Sequence, residues 1–285
     1  MTSSEAAAPK SLRLLCDRVY DRYHDIGFME PDPLQFVVDY PSLRDREVVG
    51  MVASAFALGR VAGINAAVAN ALARLRYAGP SPSAVVASLD PRAACELAEG
   101  FAYRFFGAEQ LAGLLLAIGR LQREHGTLDA AFAASSAPGL PTSPAALREG
   151  LALFTTHLRH AADGMLDGSI LIPDPSLGGA CKRLLLFLRW MVRHDSVDPG
   201  GWLSVAPSGL IVPVDTHMLK IATALGFTRC RQASWRVSVE ITEGFRALAP
   251  DDPVRYDFSL TRLGIHPDLT ETWFLDACRT LRDAS

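Results

Sequence analysis

Apolar residues recur at helical spacing along most of the chain, with polar residues between them. Examples are residues 10–27, the almost wholly apolar residues 48–58, and residues 108–125. This spacing puts apolar side chains on one face of an α-helix. No stretch shows the sustained apolar–polar alternation that is typical of strands. The sequence therefore predicts an all-α fold with roughly a dozen helices.

Residues that commonly cap helices mark where several of these segments begin. Ser81, Asp90 and Ser143 are predicted N-caps, because their side-chain oxygens can accept a backbone N–H of the first turn. Asp215 is a fourth, and Pro213 predicts an extended approach to it. Residues 163–179 are rich in Gly, Pro, Asp and Ser and predict a long hairpin-like connection. Further helices are predicted over residues 64–76, 180–194, 233–248, 251–263 and 267–282.

Composition fits an ordinary globular protein of one large or two modest domains. The 285 residues are 49% hydrophobic and 21% charged. No apolar run reaches the roughly 18 residues of a membrane span, and residues 1–10 lack the apolar core of a signal peptide. The five cysteines are scattered, which favours free thiols over a zinc or iron–sulfur site. We expect a cytoplasmic protein that does not enter a membrane.

The net charge of −3 does not suggest a nucleic-acid binder, but the charges are unevenly distributed. Residues 178–193 carry four cations and no acid, and residues 219–236 carry four more, again with no acid. A local basic stripe can bind a phosphate backbone. Solvated helix faces explain the same pattern, and charge alone does not separate the two interpretations.

Lys182 is one of only three lysines among 28 basic residues. It follows Gly178 and Gly179 and opens an apolar helix, where the positive end of the helix dipole and an apolar wall favour an uncharged amine. Unlike arginine, a lysine can lose its proton and attack carbon. The alternative is a surface lysine whose stem lies along an amphipathic helix.

Asp215 opens the next predicted helix, 33 residues after Lys182. A carboxylate at this position can steer a nearby amine or stabilise a developing positive charge. It can equally be a structural cap with no further role.

The sequence resembles the helix-hairpin-helix DNA glycosylase superfamily in three features. These are the paired glycines, the lysine at the start of an apolar helix, and the segment Val212-Pro213-Val214-Asp215-Thr216-His217-Met218. In that superfamily the glycine hairpin binds a DNA phosphate, the lysine attacks C1′ of a flipped nucleotide, and the aspartate lies opposite it. Residues 47–72 and 101–125 are similar to other helices of the superfamily. Residues 181–183, 188–193, 214–217 and 251–258 together resemble an uncharacterised bacterial branch of this superfamily.

The resemblance implies two helical domains with a helix-hairpin-helix element between them. One domain would comprise residues 1–43 and 213–285. The other, a barrel-like central domain that carries the hairpin, would comprise residues 44–212. We expect a monomer.

The resemblance also implies roles for individual residues. Lys182 would be the nucleophile and Asp215 its partner, with no metal or organic cofactor. DNA contacts would come from the hairpin and from nearby cations, and aromatic side chains would hold the extruded base, although each aromatic also suits a core position. The DNA-contacting residues would be Gly178, Gly179, Arg183, Arg189 and His217, and the base-pocket residues Phe56, Trp202 and Trp273.

The function expected from these residues is that of a base-excision repair glycosylase with abasic-site lyase activity. Its partner would be double-stranded DNA with a damaged base, 8-oxoguanine being one possibility. The alternative is a non-catalytic helix-hairpin-helix protein that binds DNA or RNA. A catalytic role requires Lys182 and Asp215 to meet in a pocket, whereas a binding role does not.

Overall fold

The chain folds into α-helices joined mostly by short loops, and the computed structural model describes residues 10–137 and 139–283. Within these residues the one sheet is a hairpin of β1 (Ala102–Tyr103) and β2 (Phe106–Gly107). The all-α prediction is confirmed. The helices are α1 (Lys10–Tyr23), α2 (Leu43–Ala55), α3 (Val61–Ala78), α4 (Pro82–Ser88), α5 (Pro91–Ala98), α6 (Ala108–His125), α7 (Leu128–Ser135), α8 (Pro144–Ala161), α9 (Lys182–Val192), α10 (Thr216–Leu225), α11 (Trp235–Arg246), α12 (Asp257–Ile265) and α13 (Thr272–Asp283).

The four predicted N-caps are confirmed. In each, the side-chain oxygen accepts the backbone N–H three residues further along, which satisfies one of the unpaired donors of the first turn. These residues are Ser81, Asp90, Ser143 and Asp215.

Two predicted helix boundaries are corrected. The helix expected over residues 10–27 ends at Tyr23, because Asp25 accepts the Gly27 N–H and starts a separate 3-10 turn. The helix expected from residue 251 begins at Asp257 instead; Pro253 disfavours a helical conformation in the residue before it. Residues 101–107 contain the β-hairpin, whose strands are too short for their pattern to show in the sequence.

Helix α6 is the centre of the larger group of helices and packs against α4, α5, α7 and α8. Its contact with α4 depends on Gly119, where a Cβ would lie 2.0 Å from the carbonyl oxygen of Val86. Helix α2 packs on α9 in the same group. A smaller group contains α1, α10, α12 and α13, which pack on one another. The domain limits at residues 43 and 212 stay a prediction.

Glu47 is a buried hydrogen-bond centre that joins distant parts of the larger group. Its carboxylate accepts the backbone N–H groups of Leu128 (2.8 Å) and Asp129 (3.0 Å) and side-chain donors of Gln122 and Trp202, both at 2.9 Å. Burial raises the pKa of Glu47, although these four donors oppose the shift. The donors offset the cost of burying the carboxyl group.

The chain passes from the larger group to the smaller one through residues 210–214, all of which are buried. The Val212 N–H donates to Thr242 Oγ1 at 3.0 Å, which attaches this segment to α11. Because Asp215 follows at once, its position is fixed by buried backbone. No helix among the described residues combines the length and apolar character needed to cross a membrane.

Candidate active site

The lysine of the candidate site lies at the very start of α9. Gly178 adopts a left-handed conformation (φ 78°), and Cys181, the residue before the helix, does so as well (φ 49°). The Cys181 side chain does not cap α9, so it leaves the N–H groups of the first turn uncovered. Lys182 is 32% exposed at its side chain, and its stem therefore lies partly within the protein.

Asp215 uses its two oxygens differently. Oδ1 accepts the Met218 N–H at 2.9 Å and caps α10, and Oδ2 lies 3.2 Å from Lys182 Nζ. The pair expected from the sequence therefore meets. At this distance Asp215 can accept a proton from the amine, and it can stabilise positive charge on an atom that the amine attacks.

The pair lies in a cleft of about 830 Å³, a volume typical of small-molecule sites. The cleft runs between the two groups of helices. One wall of it comes from α9, where Lys182, Leu186 and Arg189 follow the spacing of one helix face. Helix α12 contributes Asp257, Thr261 and Arg262 to the lining. The loop before α3, the start of α10 and residues 231–233 complete the lining.

Two buried ion pairs form part of the cleft lining. Arg189 Nη1 donates to Asp257 Oδ2 at 2.5 Å, and Arg262 Nη2 donates to Asp32 Oδ2 at 2.5 Å. Burial raises the pKa of Asp32, but the charges of Arg262 and Arg189 and the Leu34 N–H together outweigh this, and the pKa is lowered overall. These pairs connect α9 and α12 with the segment before α2.

The mouth of the cleft is cationic. Arg60 and Arg231 line it with exposed side chains, and neither has an ion-pair partner among the described residues. The cleft as a whole has five cations against three carboxylates. The cations are Arg60, Lys182, Arg189, Arg231 and Arg262, and the carboxylates are Asp32, Asp215 and Asp257. An excess of positive charge favours an anionic ligand.

His217 also lines the cleft and lies in the first turn of α10. Its imidazole lies over Gly264 of α12, where a Cβ would come within 2.3 Å of Nδ1. A glycine at residue 264 therefore leaves the space that the ring occupies.

Two predicted DNA contacts need correction. Arg189 is 1% exposed and bound to Asp257 and Asp198, so it cannot meet a phosphate backbone on the surface. Arg183 turns inward, where its guanidinium donates to the carbonyl oxygens of Ala55 and Leu171. Both arginines hold the structure around the cleft together.

The two glycines predicted to contact DNA, Gly178 and Gly179, have different environments. The carbonyl of Gly178 accepts the Trp235 N–H at 3.0 Å, which ties the loop before α9 to the start of α11. Gly179 is exposed, and a Cβ on it would meet open space. The backbone at Gly179 is therefore accessible to a ligand.

None of the three predicted base-pocket aromatics lines the cleft. Phe56 is fully buried against Phe101 and Phe106. Trp202 is 3% exposed and donates its indole N–H to Glu47. Both are core residues, which corrects the prediction. Trp273 is 43% exposed on α13, outside the cleft lining.

Several cleft residues were not predicted from the sequence. Asp32, Asp257 and Arg262 are far apart in sequence, and local patterns do not show that they pair. Arg189 was predicted as a DNA contact rather than as a buried residue of the cleft. Its place seven residues after Lys182 puts both on the same helix face. Among the described residues, no three His, Cys, Asp or Glu side chains lie close enough to hold a metal ion.

A family model with the description "Protein of unknown function (DUF2400)" matches residues 32–266. The match spans most of the chain, and the protein belongs to this family. It includes Asp32, Lys182, Asp215 and Asp257. Neither a curated protein nor a solved structure matches the chain.

Proposed function

We propose that the protein is a DNA glycosylase with abasic-site lyase activity. The observation that carries the proposal is the 3.2 Å approach of Lys182 Nζ to Asp215 Oδ2 inside a cleft. A primary amine beside a carboxylate is suited to covalent attack on an electrophilic carbon.

The proposed reaction proceeds through Lys182. Asp215 takes the proton from the Lys182 ammonium and passes it to solvent, which leaves a free amine beside a carboxylate. The amine then attacks C1′ of a flipped nucleotide, and the bond from C1′ to the base breaks with its electron pair going to the base. A second proton passes from the nitrogen to O4′ as the C1′–O4′ bond breaks, and the opened sugar is a Schiff base of Lys182. Loss of a C2′ proton then expels the 3′ phosphate, and this β-elimination cleaves the strand. Asp215 stabilises the positive charge that develops at the sugar.

The surroundings of the pair support a nucleic-acid substrate. The cleft has a net excess of cations, and Arg60 and Arg231 at its mouth can neutralise phosphates. The first turn of α9 and the exposed backbone at Gly179 lie directly beside Lys182, an arrangement suited to a phosphate. A volume of about 830 Å³ gives an extruded nucleotide room to enter.

Borohydride trapping tests the proposal, because it reduces a Schiff base to a stable covalent adduct. Wild type is incubated with duplexes that contain an abasic site or 8-oxoguanine. Lys220→Ala is the matched control, since Lys220 is a lysine that pairs with Glu271 outside the cleft lining. We expect adducts with wild type and Lys220→Ala and none with Lys182→Ala.

Failure to trap wild type, or equal trapping by Lys182→Ala, would overturn the proposal. Binding of the same duplexes with a steep salt dependence and no adduct would favour a non-catalytic nucleic-acid-binding protein instead.

A further inference from the structure

Asp257 is the first residue of α12 and lines the same cleft as Lys182 and Asp215. It is 3% exposed. Its Oδ2 accepts from Arg189 Nη1, but its Oδ1 has no hydrogen-bond partner among the described residues. An unsatisfied buried oxygen is costly, so native structures that keep one often use it for a ligand or for chemistry.

The other cleft carboxylates are fully engaged. Asp32 accepts from Leu34 N–H and Arg262, and Asp215 engages Met218 N–H and Lys182. Asp257 Oδ1 is therefore the single cleft carboxylate oxygen without a partner in the described part of the chain. A purely structural ion pair gives no reason for this difference.

Charges from several elements act on Asp257. Arg189 of α9 attracts its ionised form, whereas Asp198, after α9, and Asp215, before α10, repel it. Arg262, on the same helix, is bound to Asp32. Burial raises the pKa of Asp257 to about 6; Arg189 opposes the rise, and the two carboxylates add to it. Roughly a tenth of Asp257 therefore carries a proton at pH 7, and about half at pH 6.

We propose that Asp257 is the acid that protonates the departing base in the glycosylase reaction proposed above, on which this inference rests. As the bond from C1′ to the base breaks, the electron pair moves onto the base. The Asp257 carboxyl proton transfers to a base nitrogen or oxygen, which leaves a neutral base and an Asp257 carboxylate beside Arg189. Lys182 forms the new bond to C1′, so nucleophile and acid are separate groups.

The test compares two reactions of one variant. An abasic site has no base to expel, so its trapping with borohydride does not need the acid, whereas base release does. Asp257→Asn resembles the protonated carboxyl in shape. We expect Asp257→Asn to slow base release about 100-fold. The loss of base release should be at least about tenfold larger than the loss of abasic-site trapping.

The duplexes contain 8-oxoguanine, uracil, hypoxanthine or ethenoadenine. Asp198→Asn is the matched control, because Asp198 binds the same Arg189 but lies outside the cleft lining. If Asp257 only holds Arg189 in position, the two variants slow base release and trapping in the same ratio. Asp257→Glu, which keeps a carboxyl group, should recover part of the base release that Asp257→Asn loses.

Equal base release by Asp257→Asn and wild type would overturn the acid role. So would a wild type that is trapped on abasic DNA but releases no base from any of the four duplexes. These outcomes leave the lyase proposal standing. A wild type that is not trapped on abasic DNA removes the proposed function itself, and the acid role with it.

Thermal stability against pH gives a second measurement that needs no substrate. The folded pKa of about 6 lies above the ordinary value of 3.8, so the stabilising contribution of Asp257 is complete below about pH 3.8 and is lost as the pH rises through 6. Asp257→Asn buries no charge. We expect its Tm, relative to that of wild type, to rise between pH 5 and pH 7. A difference that stays constant or falls would contradict titration of Asp257 in this range.

Discussion

Asp215 Oδ2 lies 3.2 Å from Lys182 Nζ while Oδ1 of the same carboxylate caps α10. One side chain thus caps a helix with one oxygen and pairs with the Lys182 amine through the other. The two residues are 33 positions apart in the sequence. Their approach depends on the loop before α9 and on the buried segment 210–214 before α10.

The separation of these two roles predicts different effects for two substitutions of Asp215. Asn keeps an oxygen that accepts the Met218 N–H, so Asp215→Asn should leave stability nearly unchanged. It removes the charge beside Nζ and should slow base release about 100-fold or more. Asp215→Ala should lose about 1 kcal/mol of stability in addition. Melting curves and single-turnover kinetics measure the two effects.

The control for this prediction is Asp90→Asn, at the aspartate N-cap of α5 outside the cleft. It should affect neither rate nor stability appreciably. Wild-type kinetics from Asp215→Asn would show that the carboxylate is only a cap.

The cationic mouth of the cleft predicts a specific salt dependence of DNA binding. Arg60→Ala and Arg231→Ala should each weaken binding to a duplex and reduce the slope of log affinity against log salt by about 0.9. Fluorescence anisotropy over a range of salt concentrations gives the slope. Arg92→Ala is the control, because Arg92 forms an exposed ion pair with Glu96 on α5. An identical slope for all three variants would exclude phosphate contacts at the mouth.

The contact between His217 and Gly264 predicts a coupled effect on stability. A Cβ at residue 264 overlaps the imidazole, so Gly264→Ala should cost about 1 kcal/mol or more and displace the ring. In a His217→Ala background the same change should be neutral or stabilising by up to about 1 kcal/mol, because Ala is the better helix former. Denaturation of the four proteins of the cycle measures the coupling. The same cost in both backgrounds would show that the ring is not the obstacle.

Local sequence signals were enough to predict most of the helices. They also singled out Lys182 and Asp215 and predicted that Asp215 caps a helix. The cap at Asp215 followed from a rule about the first helical turn, and Lys182 stood out because lysine is rare in this chain. Boundaries near Gly27 and Asp251 were wrong because 3-10 turns and proline-containing loops resemble helix ends in sequence.

Burial was the property that local sequence could not give. Phe56 and Trp202 were predicted to wall a base pocket, but both lie in the core. Phe56 packs on the β1–β2 hairpin, and Trp202 packs on α7. Arg189 resembled a surface cation until its partner Asp257, 68 residues away, was known. Ion pairs between distant segments decide which charges face the cleft.

The most direct test of the central claim is to identify the residue that becomes attached to DNA. The borohydride-reduced complex of wild type with an abasic duplex is digested, and the modified peptide is sequenced by mass spectrometry. We predict the sugar remnant on Lys182, with none on Lys10, on Lys220 or on the chain's amino terminus. Attachment at any of those other amines, or no attachment at all, would contradict the assignment of Lys182 as the nucleophile.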